Sequence, residues 1–89
     1  MKAEYLPGFV KDLQALRGVA AYNKVRRLAF DDIEGLSSLN EIPGLKRLRG
    51  FRNAYRIRVG DYRIGIISDG KTVTFARVLN RKDIYRFFP

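Results

Sequence analysis

The chemistry available to this chain is concentrated in one stretch, Tyr55-Arg56-Ile57-Arg58-Val59-Gly60-Asp61-Tyr62-Arg63. Tyr55, Ile57 and Val59 alternate with Arg56 and Arg58, so a strand here buries one face and presents guanidinium groups on the other. Gly60 and Asp61 fit a two-residue hairpin loop with glycine first, and Tyr62, Arg63 and Ile64 begin a return strand. Arginine is the side chain best suited to forked recognition of phosphate oxygens, and a rigid sheet holds several at fixed separations. Three arginines on one hairpin predict a site for an anionic ligand.

The surroundings strengthen that reading. Between Leu45 and Arg63 the basic residues are Lys46, Arg47, Arg49, Arg52, Arg56, Arg58 and Arg63, and the only acid is Asp61. Such a lopsided run is not ordinary salt-bridge patterning. Phe51, Tyr55 and Tyr62 are interleaved with it and are of the type on which unpaired bases stack, although alternation with the arginines favours a core role for Tyr55 and Tyr62. A second constellation, Arg81 and Tyr85, has the four-residue spacing that places two side chains on one side of a helical turn. Taken alone, Tyr85 reads more simply as a terminal residue that packs its ring and exposes its hydroxyl.

With 18 Lys and Arg against 9 Asp and Glu, a net charge of +9 and a pI near 10.4, the surface carries a strong positive potential. Nucleic acid, or an acidic protein that mimics it, is the partner this charge suits. The chain has no Cys and no His, which removes disulfides, thiolate nucleophiles, the commonest metal ligand and the commonest general base. No metal or cofactor is therefore expected. No stretch approaches a membrane span and the opening Met-Lys-Ala-Glu-Tyr-Leu-Pro-Gly has no apolar signal region, so a cytoplasmic protein with no membrane partner is expected.

These 89 residues suit one small domain, 1–89. Lys2 to Leu6 predict a short strand closed by Pro7 and Gly8. Phe9, Val10, Leu13 and Leu16 have helical spacing, ended by Gly18, and a second amphipathic helix is expected from about Ala20 to Ile33. Gly35 to Gly44 reads as loop with room for one extra turn. Leu45, Leu48 and Phe51 are the next expected anchors. The arginine hairpin follows, then a strand from Tyr62 to about Ser68, an Asp69-Gly70 type I′ turn and a strand over Thr72 to Leu79. A polar exit leads to Phe87 and Phe88, both expected to cap the core. The predicted fold class is α+β, in the order β-α-α-β-β-β. Two helices cover one face of a mainly antiparallel sheet, and the arginines lie on an open opposite face.

Leu48-Arg49-Gly50, then Tyr55 through Ile64, then Val78-Leu79-Asn80-Arg81-Lys82-Asp83-Ile84-Tyr85 resemble the pattern of the RelE/ParE toxin superfamily, specifically RelE-like toxins. The similarity spans nearly the whole chain, including the opening strand and the Phe-Val-Lys-Asp-Leu helix start. The resemblance implies a toxin of a type II toxin-antitoxin pair that enters the ribosomal decoding site and cuts messenger RNA. The implied reaction is attack of a ribose 2′-hydroxyl on the adjacent phosphate. It also implies the site residues Arg56, Arg58, Arg63, Arg81 and Tyr85, with Arg58 and Arg63 on the phosphate, Arg81 stabilising the leaving group and Tyr85 orienting or stacking the nucleotide. Lys46, Arg47, Arg49, Arg52 and Lys82 are candidate RNA contacts.

The chain departs from the family pattern at two positions. Some members have lysine where this chain has Arg56, and many have histidine where it has Asn80. Arg56 is a poor proton acceptor and Asn80 cannot be a base, so Tyr85 or Lys82 is left as a secondary proton carrier. The alternatives are a ParE-like inhibitor of DNA gyrase and a noncatalytic RNA-binding module. The resemblance also implies a cognate antitoxin, expected to be acidic and partly disordered, in a hetero-oligomer that covers the basic face.

Overall fold

The computed structural model describes residues 1–89. Its elements run β1 (Lys2–Tyr5), α1 (Pro7–Ala15), α2 (Ala21–Phe30), β2 (Leu45–Arg47), β3 (Ala54–Val59), β4 (Tyr62–Ser68), β5 (Thr72–Asn80) and α3 (Ile84–Phe87). Two 3₁₀ turns, Asp32–Gly35 and Leu39–Glu41, connect α2 to β2. The sheet order is β1-β5-β4-β3-β2, with β1 parallel to β5 and every other pair antiparallel.

The alternation in β3 and β4 organises the core. Ile57 and Ile64 are ladder partners and both are fully buried. They join Ile66, Val73, Phe75 and Val78 of the sheet against Phe9 and Leu13 of α1 and Val25, Leu28 and Ala29 of α2. Tyr5 binds β1 into the same layer. Its ring stacks 4.5 Å from Phe30 and 5.5 Å from Phe75, and its hydroxyl donates to the Ala29 carbonyl at 2.6 Å. Burial of that hydroxyl, and the negative charges of Glu34 and Asp31, push the Tyr5 pKa up, keeping it a neutral donor.

A register shift between Gly65 and Ile66 interrupts the β4–β5 ladder. Beside it, Asp12 of α1 accepts from the Val78 amide at 3.1 Å and from Arg77 Nε at 2.6 Å and an Arg77 terminal nitrogen at 3.1 Å. This is the structure's one ion pair. A bulge disturbs ladder bonding, and a carboxylate here supplies an acceptor while fastening α1 to β5.

The predicted α+β class, the two helices on one face and the antiparallel meander are present, with five differences in detail. First, Pro7 opens α1 instead of only closing β1, because its fixed φ suits a first helical turn and its missing amide costs nothing there. Second, α2 ends at Phe30, and Ile33 reaches the core from the following 3₁₀ turn. Third, Leu45–Arg47 is a fifth strand, which a three-residue segment with two consecutive cations did not advertise. Of the expected anchors nearby, Leu45 and Leu48 pack at the two cores but Phe51 is 47% exposed.

Fourth, Asp69-Gly70 is not a type I′ turn. That turn needs positive φ at both central residues, and here only Gly70 has it. The Asp69 carboxylate instead accepts from the Lys71 and Thr72 amides, both at 2.8 Å. Fifth, the face opposite α1 and α2 is only partly open. Ala54, Ala76, Ile84 and Phe88 form a second small cluster there, roofed by α3, with Leu48, Ile67 and Leu79 around it. Phe88 is buried as expected, whereas Phe87 is 58% exposed.

Two predictions test this account. Asp12→Ala strands the Val78 amide and the half-buried Arg77 guanidinium, and should lower unfolding free energy by about 1–3 kcal/mol in chemical denaturation. At the exposed Asp69, backbone hydrogen bonds from Thr72 and Lys71 hold the carboxyl pKa below its ordinary value. A depressed folded-state pKa contributes stability above the unfolded pKa and loses it as pH falls. Asp69→Ala should therefore lower Tm at pH 7, and the gap from the unsubstituted protein should close as the pH falls below the ordinary carboxylate range.

Candidate functional site

Strand register brings the arginines together. Lys46 of β2 lies opposite Arg56 of β3, Arg56 opposite Gly65 of β4, and Arg58 opposite Arg63. Because Ile57 and Ile64 point into the helix-covered core, their alternating neighbours Arg56, Arg58 and Arg63 share the other face. Arg63 is in turn opposite Leu79, a member of the α3-side cluster, and Arg81 follows two residues later. The Arg81 amide donates to the Asp61 carbonyl at 2.8 Å, which ties the end of β5 to the hairpin loop. Residues distant in sequence thus meet around the tip of one hairpin.

None of these cations has a carboxylate partner, since the only ion pair is Arg77 with Asp12. Their hydrogen bonds go to backbone carbonyls. One terminal nitrogen of Arg56 donates to Gly44 at 2.8 Å, and one of Arg63 donates to Gly60 at 2.8 Å and Tyr62 at 3.0 Å. These contacts orient the forks without neutralising them. The Arg63 pKa is drawn down first by desolvation, then by the charges of Arg56 and Arg58 and, more weakly, Arg81, against an opposing pull from Tyr85. The same interactions show that Arg63 lies within electrostatic reach of four of the residues singled out by sequence. A concentrated, uncompensated positive charge of this kind is suited to a phosphodiester.

Tyr85 and Arg81 are not on one helix, as their spacing suggested. Asn80 accepts the Lys82 amide through Oδ1 at 3.0 Å and the Asp83 amide through its carbonyl at 2.9 Å, forming a turn before α3 begins at Ile84. Arg81 and Lys82 lie in that exposed turn, and Tyr85 lies on α3 with 58% of its surface exposed.

Beside the arginines is a cleft of about 1010 Å³ between the β2–β3 connection and α3. Lys46, Arg47, Arg49, Arg52, Arg56 and Tyr85 line it, over apolar surface from Leu48, Phe51 and Phe88. Arg58, Arg63, Arg81 and Lys82 lie outside it, so the predicted residues form two adjoining groups joined by Arg56 and Tyr85. Arg47 pairs with Tyr55 in the β2–β3 ladder, and its guanidinium carbon is 5.8 Å from that ring's centroid. Phe88 and Gly65 were not read as site residues. The uninterrupted Tyr-Arg-Ile-Gly-Ile-Ile run does carry a trace of them, since a glycine within a strand signals close approach of another group.

The family model described as the ParE toxin of the type II toxin-antitoxin system parDE matches residues 3–85. Toxin RelE3 of Methanocaldococcus jannaschii is 43% identical over 90 residues, covering 100% of both chains. The crystal structure of the RelB-RelE antitoxin-toxin complex from Methanococcus jannaschii superposes with a TM-score of 0.77 at 41% identity, over 97% of this chain and 99% of that one. The E. coli DinJ-YafQ complex gives a TM-score of 0.74 at 18% identity, over 94% and 97%, which is a likeness of fold.

Crowded like charges should cost stability in the free protein. Arg58→Ala is expected to leave Tm unchanged or raise it at low ionic strength. Any gain should vanish near 1 M salt, where the screening length is about 3 Å. Calorimetry at the two salt concentrations measures this, and a salt-independent loss of stability would mean that Arg58 has a structural role.

Proposed function

The chain belongs to the RelE/ParE superfamily as a RelE-like toxin of the type II toxin-antitoxin class, and from that premise we propose that it is a ribosome-dependent mRNA endoribonuclease acting in the cytoplasm. The observation that carries the proposal is the convergence of Arg56, Arg58 and Arg63 on one sheet face, beside Arg81 and with no carboxylate partner. Catalytic phosphodiester cleavage needs charge stabilisation where negative charge develops, and backbone carbonyls orient two of these groups, Arg56 and Arg63, without a substrate present.

In the proposed reaction the ribose 2′-oxygen forms a bond to the adjacent phosphorus as the bond from phosphorus to the 5′-oxygen breaks. The products are a cyclic phosphate and a free 5′-hydroxyl. The 2′-proton leaves and a proton is delivered to the departing oxygen. Arg58 and Arg63 stabilise the phosphorane oxygens, Arg81 the leaving oxygen, and Tyr85 stacks on or orients the nucleotide. Arg56 adds positive charge between the reacting group and the cleft. Lys46, Arg47, Arg49, Arg52 and Lys82 bind the flanking RNA or ribosomal RNA. No metal or cofactor takes part in this scheme.

A proton acceptor is the element the residues supply least. Arg56 stays charged, and Asn80 has its side-chain oxygen occupied by the Lys82 amide. Rate enhancement in this proposal therefore rests on charge and on in-line geometry imposed by the ribosome, with Tyr85 or Lys82 as a secondary proton carrier. Gyrase inhibition has no comparable support, as the relative at 43% identity over the full length is a RelE toxin.

We also propose that a cognate antitoxin binds the chain in a hetero-oligomer. The RelE protein of Methanococcus jannaschii was solved with its antitoxin RelB, and a surface with a net charge of +9 suits an acidic, partly disordered partner that folds on it.

The test is primer extension on ribosome-bound mRNA. Arg63→Ala and Arg81→Ala should each lower the cleavage rate about 10²- to 10³-fold, the loss typical of removing one preorganised charge-stabilising donor, with the fold intact by circular dichroism. Wild-type cleavage by either variant would refute the assigned roles. Translation arrest with intact mRNA and DNA damage signalling would refute the nuclease reading in favour of gyrase poisoning.

A further inference from the structure

Glycine within a strand supplies no side chain and weakens the ladder. Gly65 nevertheless occupies the middle of β4, directly opposite Arg56 and two residues after Arg63. Its backbone does not need glycine, because its φ is not among the positive values found at Gly18, Gly44, Gly50, Gly60 and Gly70. Space does need it. A Cβ at residue 65 would lie 2.5 Å from Phe88 Cδ2, 2.6 Å from Cγ and 2.9 Å from Cδ1. The Phe88 ring rests on the bare backbone of β4 and is 4% exposed.

That contact fixes α3. The Phe88 amide donates to the Ile84 carbonyl at 2.8 Å, and Ile84 is fully buried in the same small cluster. Between these two embedded residues, Tyr85 projects outward and lines the cleft with Phe88 and Arg56. A second tether acts from the side, where the Arg77 guanidinium carbon stands 5.5 Å from the Phe87 ring centroid while Asp12 holds that guanidinium.

We infer that Gly65 is a positioning residue: by leaving room for Phe88 on the sheet it sets the depth of α3, and so the place of Tyr85 beside the arginines. The inference rests on the proposed role of Tyr85 in RNA cleavage. Any side chain at 65 lifts the ring, and a displacement of about 1 Å in a reacting constellation can cost about 10²-fold in rate.

The test is a double-substitution cycle read in two ways. Single-turnover cleavage on mRNA-programmed ribosomes should fall about 10-fold or more in Gly65→Ala, with ribosome affinity unchanged. The Tyr85 ring signals of ¹³C-tyrosine-labelled protein, assigned with Tyr85→Phe, should move. In a Phe88→Ala background, adding Gly65→Ala should have no further effect on either readout, because the methyl group then has nothing to displace. Phe88→Ala alone introduces no clash, so it judges the contact even if Gly65→Ala does not fold, and it should also slow cleavage and move the Tyr85 signals.

Unmoved Tyr85 signals in either folded variant, full activity in either, or an equal loss from Gly65→Ala with and without the Phe88 ring would overturn the inference. If the unsubstituted protein cleaves no RNA, the nuclease reading fails, while the Tyr85 signals still decide whether Gly65 seats α3.

Discussion

The pairing of Ile57 with Ile64 across β3 and β4 is the constraint on which the site depends. Both side chains are fully buried beneath the helices, and a strand's side chains alternate with a period of two. Slipping the register by one residue would drive Arg56, Arg58 and Arg63 into the core and expose the isoleucines. Burying unpaired guanidinium groups costs several kcal/mol each, so the apolar face excludes that alternative far more strongly than any hydrogen bond on the charged face could. The core thereby sets where the cations stand.

What the core imposes, electrostatics resists. Arg63 is surrounded by like charges, and the carbonyls of Gly60 and Tyr62 supply its direct hydrogen bonds. A structural arginine would be expected to look like Arg77, chelated by Asp12 and with its pKa pushed up, principally by that hydrogen bond. The two arginines differ in that one is neutralised by its own chain and the other is not. An anion entering among Arg58, Arg63 and Arg81 relieves repulsion as well as forming new bonds, which favours binding to this face over binding elsewhere on a basic surface.

The strongly periodic parts of the sequence were legible, and the parts governed by individual side-chain contacts were not. Alternation gave β3 and β4, and with them the shared face of Arg56, Arg58 and Arg63, because a period of two leaves little choice. β2 carries no such signal since three residues cannot show a period, yet its pairing is what brings Lys46 opposite Arg56. The Asp69-Gly70 loop matched a favoured dipeptide, but the carboxylate's own bonds to two amides selected a different turn. Phe87 and Phe88 were equivalent as letters. Phe88 enters the cluster over a position with no side chain, Gly65, and that is a contact 23 residues away in sequence. The RelE-like resemblance located Arg81 and Tyr85, which composition alone could not connect to the hairpin.

The division of the basic residues into two groups bears on how the proposed nuclease, which has no histidine, would act. The cleft group, with Arg49 and Arg52 over Leu48, Phe51 and Phe88, offers charge beside apolar surface, the combination that holds a stacked single strand. The hairpin-tip group, Arg58, Arg63 and Arg81, offers charge outside that cleft, which suits the phosphorane of the proposed reaction. Arg56 and Tyr85 border both. In the proposed reaction a nucleotide clamped in the cleft would deliver its adjacent phosphate to Arg58 and Arg63, and binding remote from the reacting atoms would meet the entropy of alignment. In such a design the proton acceptor contributes least of the three requirements, since a positioned in-line phosphate flanked by fixed cations already lowers the barrier through geometry and charge. Arg56 and Asn80, where the resemblance implies lysine in some members and histidine in many, are compatible with that balance. On the proposed reading they would shift the burden from proton transfer to placement, and so raise the importance of whatever fixes the seat of α3.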